Sequence, residues 1–114
     1  MIPLAWQQAP EDLHDVLAEM VRRIVEVARP DRIVLFGSAA RGDAGPDSDL
    51  DVLVVKAGVS HRRRLAQEIY GRLVGIPRAI DVLVVTPDDI ERLRDSVGTI
   101  IGSALSEGRD LYVA

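Results

Sequence analysis

Length, composition and charge narrow the class of protein. The 114 residues include 47% hydrophobic and 28% charged residues and carry a net charge of −4, which predicts one globular domain over residues 1–114 and argues against stable nucleic-acid binding. The sequence has no cysteine, which excludes disulfides and thiolate metal sites. It also has no membrane-length apolar run and no basic leader, so we expect a cytoplasmic protein without a membrane partner.

The first half of the chain predicts one helix and two strands. A tail over residues 1–9 contains Trp6, which is able to pack on the domain or on a partner. Apolar residues then recur at three- and four-residue steps and predict a helix over 11–28. The later predicted elements are a strand over 32–36 (RIVLF), a short turn or helix and a loop over 39–48, and a strand over 49–55 (DLDVLVV).

The second half predicts a strand between helices. Ser60 is expected to cap a helix that ends near residue 74. Thr86 is expected to cap a second helix, with Pro87 at its first position and an acid three residues after the cap, the pattern of a capping box. The predicted segments are a helix over 61–74, a strand over 79–85, a helix from 86 to about 105 with a break near Gly98, and a short edge strand over 111–113.

The connections between the predicted strands indicate their directions. A helix joins the second strand to the third and permits a parallel crossover, whereas a loop joins the first to the second and predicts antiparallel pairing. The order predicts an α/β (α+β) fold, a small mixed sheet with helices packed against it.

The pentapeptide DVLVV occurs twice, at 51–55 and at 81–85. A composition favoured in buried strands explains the apolar part of this repeat. It does not explain why an aspartate opens both copies. If the two strands are parallel neighbours in matching register, Asp51 and Asp81 lie side by side at one end of the sheet.

Three of the aspartates are candidate metal ligands. Asp49 and Asp51 are two residues apart on a predicted strand, so both project to the same side, and Asp81 adds a third carboxylate from the next strand. Such hard oxygen ligands suit Mg²⁺, and two ions about 3.5–4 Å apart can clamp an in-line phosphoryl displacement. Asp43 and Asp47 are interpreted instead as turn formers.

Upstream of these acids lies a candidate phosphate site. Gly37 at the end of a strand lets the backbone approach a phosphate closely. A helix that starts at Ser38 would offer free N–H groups, and Arg41 lies about one turn later as a fixed cation. A Gly-Ser pair alone is common, and it gains weight only from its spacing to the acids.

The segment GSAARGDAGPDSDLDVLVV resembles the signature of the nucleotidyltransferase superfamily with a polymerase-β-like fold. That signature is Gly-Ser, ten residues, Asp-x-Asp and a third acid on a later strand. Gly37-Ser38 and Asp49-Leu50-Asp51 fit this spacing without a gap, and Asp81 matches the third acid by its context. The resemblance extends from about Leu13 to the end, and the tail is similar to that of the small MNT-type members.

The resemblance implies a mechanism and its site residues. ATP would bind with its triphosphate across Gly37-Ser38, assisted by Arg41. Asp49 and Asp51 would hold two Mg²⁺ ions, and Asp81 would ligate the catalytic metal and help to deprotonate the acceptor hydroxyl. Attack on the α-phosphorus would then release pyrophosphate.

The resemblance also suggests a partner. MNT-type proteins resemble antitoxins encoded with a HEPN-family toxin, an all-helical RNase, and this likeness implies that the chain adenylylates a tyrosine of such a toxin. Two alternatives remain: an antitoxin that acts by contact alone, and a nucleotidyltransferase for a small molecule or an RNA end. Clustered, mutually repelling acids argue against the first. The lack of an acceptor domain and the net acidity argue against the second.

The remaining polar features receive structural interpretations. The run His61–Arg64, with Arg72 and Arg78, makes a locally basic helix, interpreted as a solvated face in preference to a docking patch. His14 is interpreted as a surface residue of the first helix.

Overall fold

The computed structural model describes residues 11–42, 48–96 and 98–114. Asp43, Asp47 and Trp6 therefore lie outside the described residues. Numbered in chain order, the elements are α1 (Glu11–Ala28), β1 (Arg32–Phe36), α2 (Ser38–Arg41), β2 (Leu50–Val55), α3 (Arg62–Arg72), β3 (Ile80–Val85), α4 (Pro87–Leu93), α5 (Ile100–Glu107) and β4 (Arg109–Val113). None of the helices within these ranges is both long and apolar enough to cross a bilayer.

The four strands form one mixed sheet in the order β3-β2-β1-β4. β1 is antiparallel to β2 and to β4, while β2 and β3 are parallel and are connected through α3. The predicted mixed sheet and both predicted strand directions are confirmed. The helix-containing connection returns the chain to the end where β2 began, as a parallel crossover requires.

One face of the sheet packs against α1 and α3. The side chains that α1 buries repeat at three- and four-residue steps, as its sequence predicted. They are Leu17, Met20, Val21, Ile24 and Ala28. Alternate residues of β2 face the same layer, namely Leu50, Val52 and Val54. Burial of each such aliphatic side chain contributes about 1.5–3 kcal/mol, so a one-residue slip of β2 would be costly.

The opposite face of the sheet packs against α4 and α5. Its buried cluster consists of Val34, Leu53, Val55, Val85 and Ala104. Since side chains alternate along a strand, Asp51, two positions before Leu53, and Asp81, four positions before Val85, also face this side. This face is therefore apolar where β2 and β3 end and acidic where they begin.

Some boundaries differ from the predictions. Asp49 precedes β2 instead of opening it, and β4 begins at Arg109 rather than at residue 111. The prediction that Ser60 caps α3 is wrong: His61 occupies the N-cap without a side-chain hydrogen bond. His61 has φ −129° and ψ 85°, which is still non-helical, so the helix starts one residue later than predicted.

His14 is half-buried rather than on the surface. Its Nε2 is buried and has no hydrogen-bond partner among the described residues. The physical reason is its position on α1, because Leu17 lies three residues later on the same side of the helix and is fully buried.

A side chain of α3 forms a hydrogen bond with the backbone of the edge strand β3. β3 has a neighbouring strand on one side only. The Tyr70 hydroxyl accepts a hydrogen bond from the Val82 N–H at 2.8 Å. The phenol thereby satisfies a backbone donor on strand β3.

Asp89 connects α4 to α3. Its carboxylate is buried, accepts from the Thr86 N–H at 2.9 Å, and completes the capping box that the sequence predicted at the start of α4. Arg62 Nη1 of α3 donates to Oδ2 at 2.5 Å, and Arg92 Nη2 donates to Oδ1 at 2.7 Å. Arg62, a member of the locally basic helix, is thus engaged within the fold.

These contacts set the pKa of Asp89. Burial alone would raise it, but the Thr86 N–H and the guanidinium groups of Arg62 and Arg92 outweigh burial and lower the pKa to about 2. Because the folded-state pKa is depressed, the stability contributed by Asp89 is present above its unfolded pKa. It is lost as the pH falls through the folded pKa.

We expect Asp89→Ala to lower the free energy of unfolding at pH 7 by about 2–3 kcal/mol, since it removes a helix cap and leaves two arginines without their carboxylate. The difference from wild type should shrink as the pH falls from about 4 to 2. Urea unfolding across this pH range measures both effects. Asp88→Asn, at the exposed neighbour in the same turn, is the control, and an equal loss in that variant would contradict the assignment.

Candidate active site

Two of the predicted site residues are direct neighbours in the sheet. Asp51 of β2 is paired in register with Asp81 of β3, and the DVLVV repeats align residue by residue along the two strands. On its other side Asp51 is paired with Phe36, the last residue of β1. The predicted juxtaposition of Asp51 and Asp81 is therefore confirmed, at the end of the sheet where β1 finishes and β2 and β3 begin.

Gly37 lies directly against the Asp51 carboxylate. It follows β1 with φ 74° and ψ −155°, a conformation that residues with a side chain rarely adopt. A Cβ placed on Gly37 would fall inside contact distance of Asp51 Oδ2. Glycine is thus required here for two reasons, its backbone angle and the closeness of the carboxylate.

The pKa of Asp51 is shifted by three other predicted site residues, Asp81, Asp49 and Arg41. Burial raises the pKa of the Asp51 carboxyl, and the negative charges of Asp81 and Asp49 raise it further, while the positive charge of Arg41 lowers it. Four of the six predicted site residues therefore interact through their charges. An ionised Asp51 is destabilised by its like-charged neighbours, which is the condition that a bound cation relieves.

Asp49 is held at the entrance to β2 by its flanking residues. The Leu50 N–H donates to the Ala79 carbonyl oxygen at 2.9 Å. Arg78 Nη2 donates to the Ser48 carbonyl oxygen at 2.7 Å. The sequence predicted only that Arg78 was one of several basic residues. Its contact with Ser48 shows that it fixes the backbone next to Asp49, and no motif spacing signals this role.

The remaining predicted residues occupy the single turn of α2. Ser38 opens this turn and is half-buried, and Ala40 anchors it in the core between α1 and the sheet. Arg41 closes the turn and is exposed, with its Nη1 donating to Glu107 Oε2 at 2.8 Å. Sequence reasoning missed Glu107, because it lies 66 positions away and nothing in its local pattern distinguishes it from other surface acids.

The donor set fits Mg²⁺ as an open site rather than a closed cage. Within the three described ranges, no group of three or more His, Asp or Glu side chains could hold a metal ion, so Asp49, Asp51 and Asp81 do not form a preassembled three-carboxylate metal site. Asp49, Asp51 and Asp81 nevertheless provide hard oxygen donors whose charges repel one another. Mg²⁺ commonly binds one or two carboxylates and completes its shell with water and phosphate oxygens, so these residues suit an ion that takes its remaining ligands from water or from a nucleotide.

Comparison with protein families decides the classification. The model of the family described as "Nucleotidyltransferase domain" matches residues 15–111. The chain belongs to this nucleotidyltransferase family. The match includes β1, α2, β2 and β3, and with them all six predicted site residues. No curated protein matches the chain at a significant level.

Solved structures confirm the nucleotidyltransferase fold. A toxin-antitoxin crystallised with AMP-PNP superimposes with a TM-score of 0.57 and 20% identity, covering 86% of this chain and 73% of its own. A mutant of the toxin-antitoxin MntA-HpeT, in which two aspartates separated by one residue are replaced by glutamate, gives a TM-score of 0.53 at the same identity and coverage. At 20% identity these similarities concern the fold.

The contact between Gly37 and Asp51 predicts an unequal effect of two glycine substitutions. Gly42→Ala, where φ is 81° and nothing lies within 4 Å of the added Cβ, should cost about 1–2 kcal/mol for the left-handed backbone alone. Gly37→Ala should cost about 1–3 kcal/mol more, because its φ of 74° and ψ of −155° lie in a region that only glycine adopts readily and because the new Cβ displaces the Asp51 carboxylate. Denaturant unfolding measures the two losses, and equal losses would contradict the contact.

The raised pKa of Asp51 predicts a variant that is more stable than wild type. Its ionisation opposes folding, so the associated stability is complete below the unfolded pKa and is lost as pH rises through the folded pKa. In metal-free buffer at pH 7, we therefore expect Asp51→Asn to raise the melting temperature. This gain should vanish below about pH 4, where aspartate is protonated in the unfolded chain. A lower melting temperature than the exposed-site control Asp95→Asn would refute this.

Proposed function

We propose that this chain transfers AMP from ATP to a protein hydroxyl, a tyrosine of a cognate HEPN-type RNase toxin, and so acts as its antitoxin. The observation that carries the proposal is the in-register pairing of Asp51 with Asp81 beside Gly37. Family membership supports nucleotidyl transfer, and the fold neighbours, a toxin-antitoxin with AMP-PNP and a mutant of MntA-HpeT, support ATP and a toxin.

In this proposal the α2 turn binds the nucleotide. The glycine at position 37 lets a phosphate approach the backbone, Ser38 contributes a hydroxyl, and Arg41 contributes a guanidinium. These groups hold the triphosphate on the acidic face of the sheet. Their placement on a turn anchored by the buried Ala40 keeps the α-phosphorus in one position relative to β2 and β3.

The carboxylates then carry the chemistry. Asp49 and Asp51 would hold two Mg²⁺ ions, with Asp81 as a further ligand of one of them, and bound Mg²⁺ would neutralise charge on the phosphates and on the attacking oxygen. Asp81 accepts the proton of the acceptor hydroxyl. The acceptor oxygen forms a bond to the α-phosphorus as the bond to the bridging oxygen breaks, and pyrophosphate leaves with that electron pair.

The site is accessible to a macromolecular acceptor. Asp49 and Asp81 are exposed and Asp51 is half-buried, and Asp51 and Asp81 lie on the side of the sheet opposite α1 and α3. A protein tyrosine, whose hydroxyl stands at the end of a rigid ring, reaches such an open site more easily than a narrow cleft.

Incubation with the protein encoded by the adjacent gene and α-labelled ATP tests the proposal. We expect label to be retained on the partner's tyrosine. Asp49→Asn, Asp51→Asn and Asp81→Asn should each reduce labelling at least about 100-fold, since each removes charge stabilisation from the transition state. Asp95→Asn, an exposed aspartate outside the cluster, should label at the wild-type rate.

The same experiment separates the alternatives. A partner that binds and is inhibited without becoming labelled would indicate neutralisation by contact alone. Label on a small molecule or an RNA end, with none on the partner, would show that the chain is a nucleotidyltransferase with a different acceptor. Wild-type labelling by Asp51→Asn would remove the assignment of the carboxylates.

A further inference from the structure

The junction between α5 and β4 contacts the α2 turn at two points. We call residues 107–109 the clamp. Glu107 Oε2 accepts from Arg41 Nη1 at 2.8 Å, and Arg109 Nε donates to the Ala40 carbonyl oxygen at 2.9 Å. Both contacts reach α2 from residues more than sixty positions later in the chain. The clamp therefore holds the turn that the proposed function assigns to the triphosphate.

The clamp itself has little room to move. A Cβ added to Gly108 would overlap the Ala104 carbonyl oxygen and Val34 Cγ1. Val34 belongs to the buried cluster beneath α5. Since Gly108 sits against the sheet, its neighbours Glu107 and Arg109 are presented to α2 from a rigid base, and the position of Glu107 is set by the fold.

Arg41 lies between opposing negative charges. On one side it is paired with Glu107. Its backbone N–H donates to the Gly37 carbonyl oxygen at 3.2 Å, Gly37 lies against the Asp51 carboxylate, and Asp51 is paired with Asp81. Three carboxylates attract a guanidinium strongly, and an arginine drawn onto them would occupy the oxygens that a divalent cation needs.

We infer that Glu107 is a positioning residue, which holds the Arg41 guanidinium off the carboxylates and directed toward the triphosphate. This inference rests on the proposed function of those carboxylates. Stabilisation of the fold is a weak explanation for the pair, because its side chains are 47% and 40% exposed and exposed ion pairs contribute little to stability. The role of Glu107 should thus appear in cation and nucleotide binding.

Titration with Mn²⁺, an oxygen-seeking substitute for Mg²⁺ that is counted by electron paramagnetic resonance, tests this directly. Glu107→Gln should raise the dissociation constant of Mn²⁺ about two- to fivefold, the range expected for an exposed charge pair, because Arg41 then moves onto the carboxylates. In an Arg41→Gln background the same substitution should change Mn²⁺ affinity no further. Calorimetry with AMP-PNP and Mg²⁺ should show weaker nucleotide binding by Glu107→Gln.

Asp110→Asn is the matched control. Asp110 lies three residues after Glu107, at the start of β4, and likewise forms an exposed ion pair, with Arg32 at 2.6 Å. This variant removes the same charge from the neighbouring segment without releasing Arg41, so its Mn²⁺ affinity should equal that of wild type. Thermal unfolding verifies that all variants fold.

Three results would overturn the inference. The first is a Mn²⁺ affinity of Glu107→Gln equal to that of Asp110→Asn, and the second is a Mn²⁺ affinity of Glu107→Gln higher than that of wild type. The third is a loss of Mn²⁺ affinity on Glu107→Gln that is as large in the Arg41→Gln background as in the wild type. Absence of Mn²⁺ binding by the wild type would overturn it as well. These outcomes are distinct from failure of the proposed function. If the partner stays unlabelled but Glu107→Gln weakens Mn²⁺ binding in an Arg41-dependent way, only the proposed acceptor is wrong. If the partner is labelled but Glu107→Gln leaves Mn²⁺ binding unchanged, only the positioning role of Glu107 is wrong.

Discussion

The parallel pairing of β2 with β3 puts Asp51 and Asp81 at the same level of the sheet, and the site depends on this placement. The pairing is maintained by the apolar residues that follow each aspartate, which are buried in β2 and at Val84 and Val85 of β3 and half-buried at Val82 and Leu83. Like charges are thus forced together by hydrophobic burial elsewhere on the same strands. The raised pKa of Asp51 records the energetic cost of that arrangement.

Backbone geometry adds a second constraint at the same place. Because β1 is antiparallel to β2, its end brings Gly37 beside Asp51. The α2 turn and the carboxylates therefore come from opposite strand directions but meet at one end of the sheet. Under the proposed function, a nucleotide bound there would contact groups at the ends of three strands, so the sheet rather than any one loop would determine its position.

Local sequence was sufficient for much of this arrangement. The DVLVV repeat indicated that Asp51 and Asp81 would lie side by side if the two strands were parallel neighbours in matching register, and the sheet has that register. The apolar stripe of α1 and the capping box at Thr86 were predicted because both are set by neighbours within one or two turns. Boundaries such as the start of α3 at Arg62 were missed, since they depend on the backbone angles of a single residue.

Side-chain contacts between distant segments that no repeat or motif relates were beyond prediction. The pairing of Glu107 with Arg41 requires β4 to lie beside β1, and the bridge from Asp89 to Arg62 requires the start of α3 to meet the start of α4. Neither relation leaves a periodic or compositional signal. Both involve ordinary surface residue types whose significance arises only from the assembled fold.

The hydrogen bond between Tyr70 and Val82 has a consequence for self-association. An open edge strand rich in valine is a template on which a second molecule can add a strand and start to aggregate. At Val82 the phenol already occupies the donor that such a strand would need. Adding a strand at this position would first have to displace the Tyr70 ring, so the contact opposes strand addition at Val82, within a segment that is otherwise favourable for amyloid-type stacking.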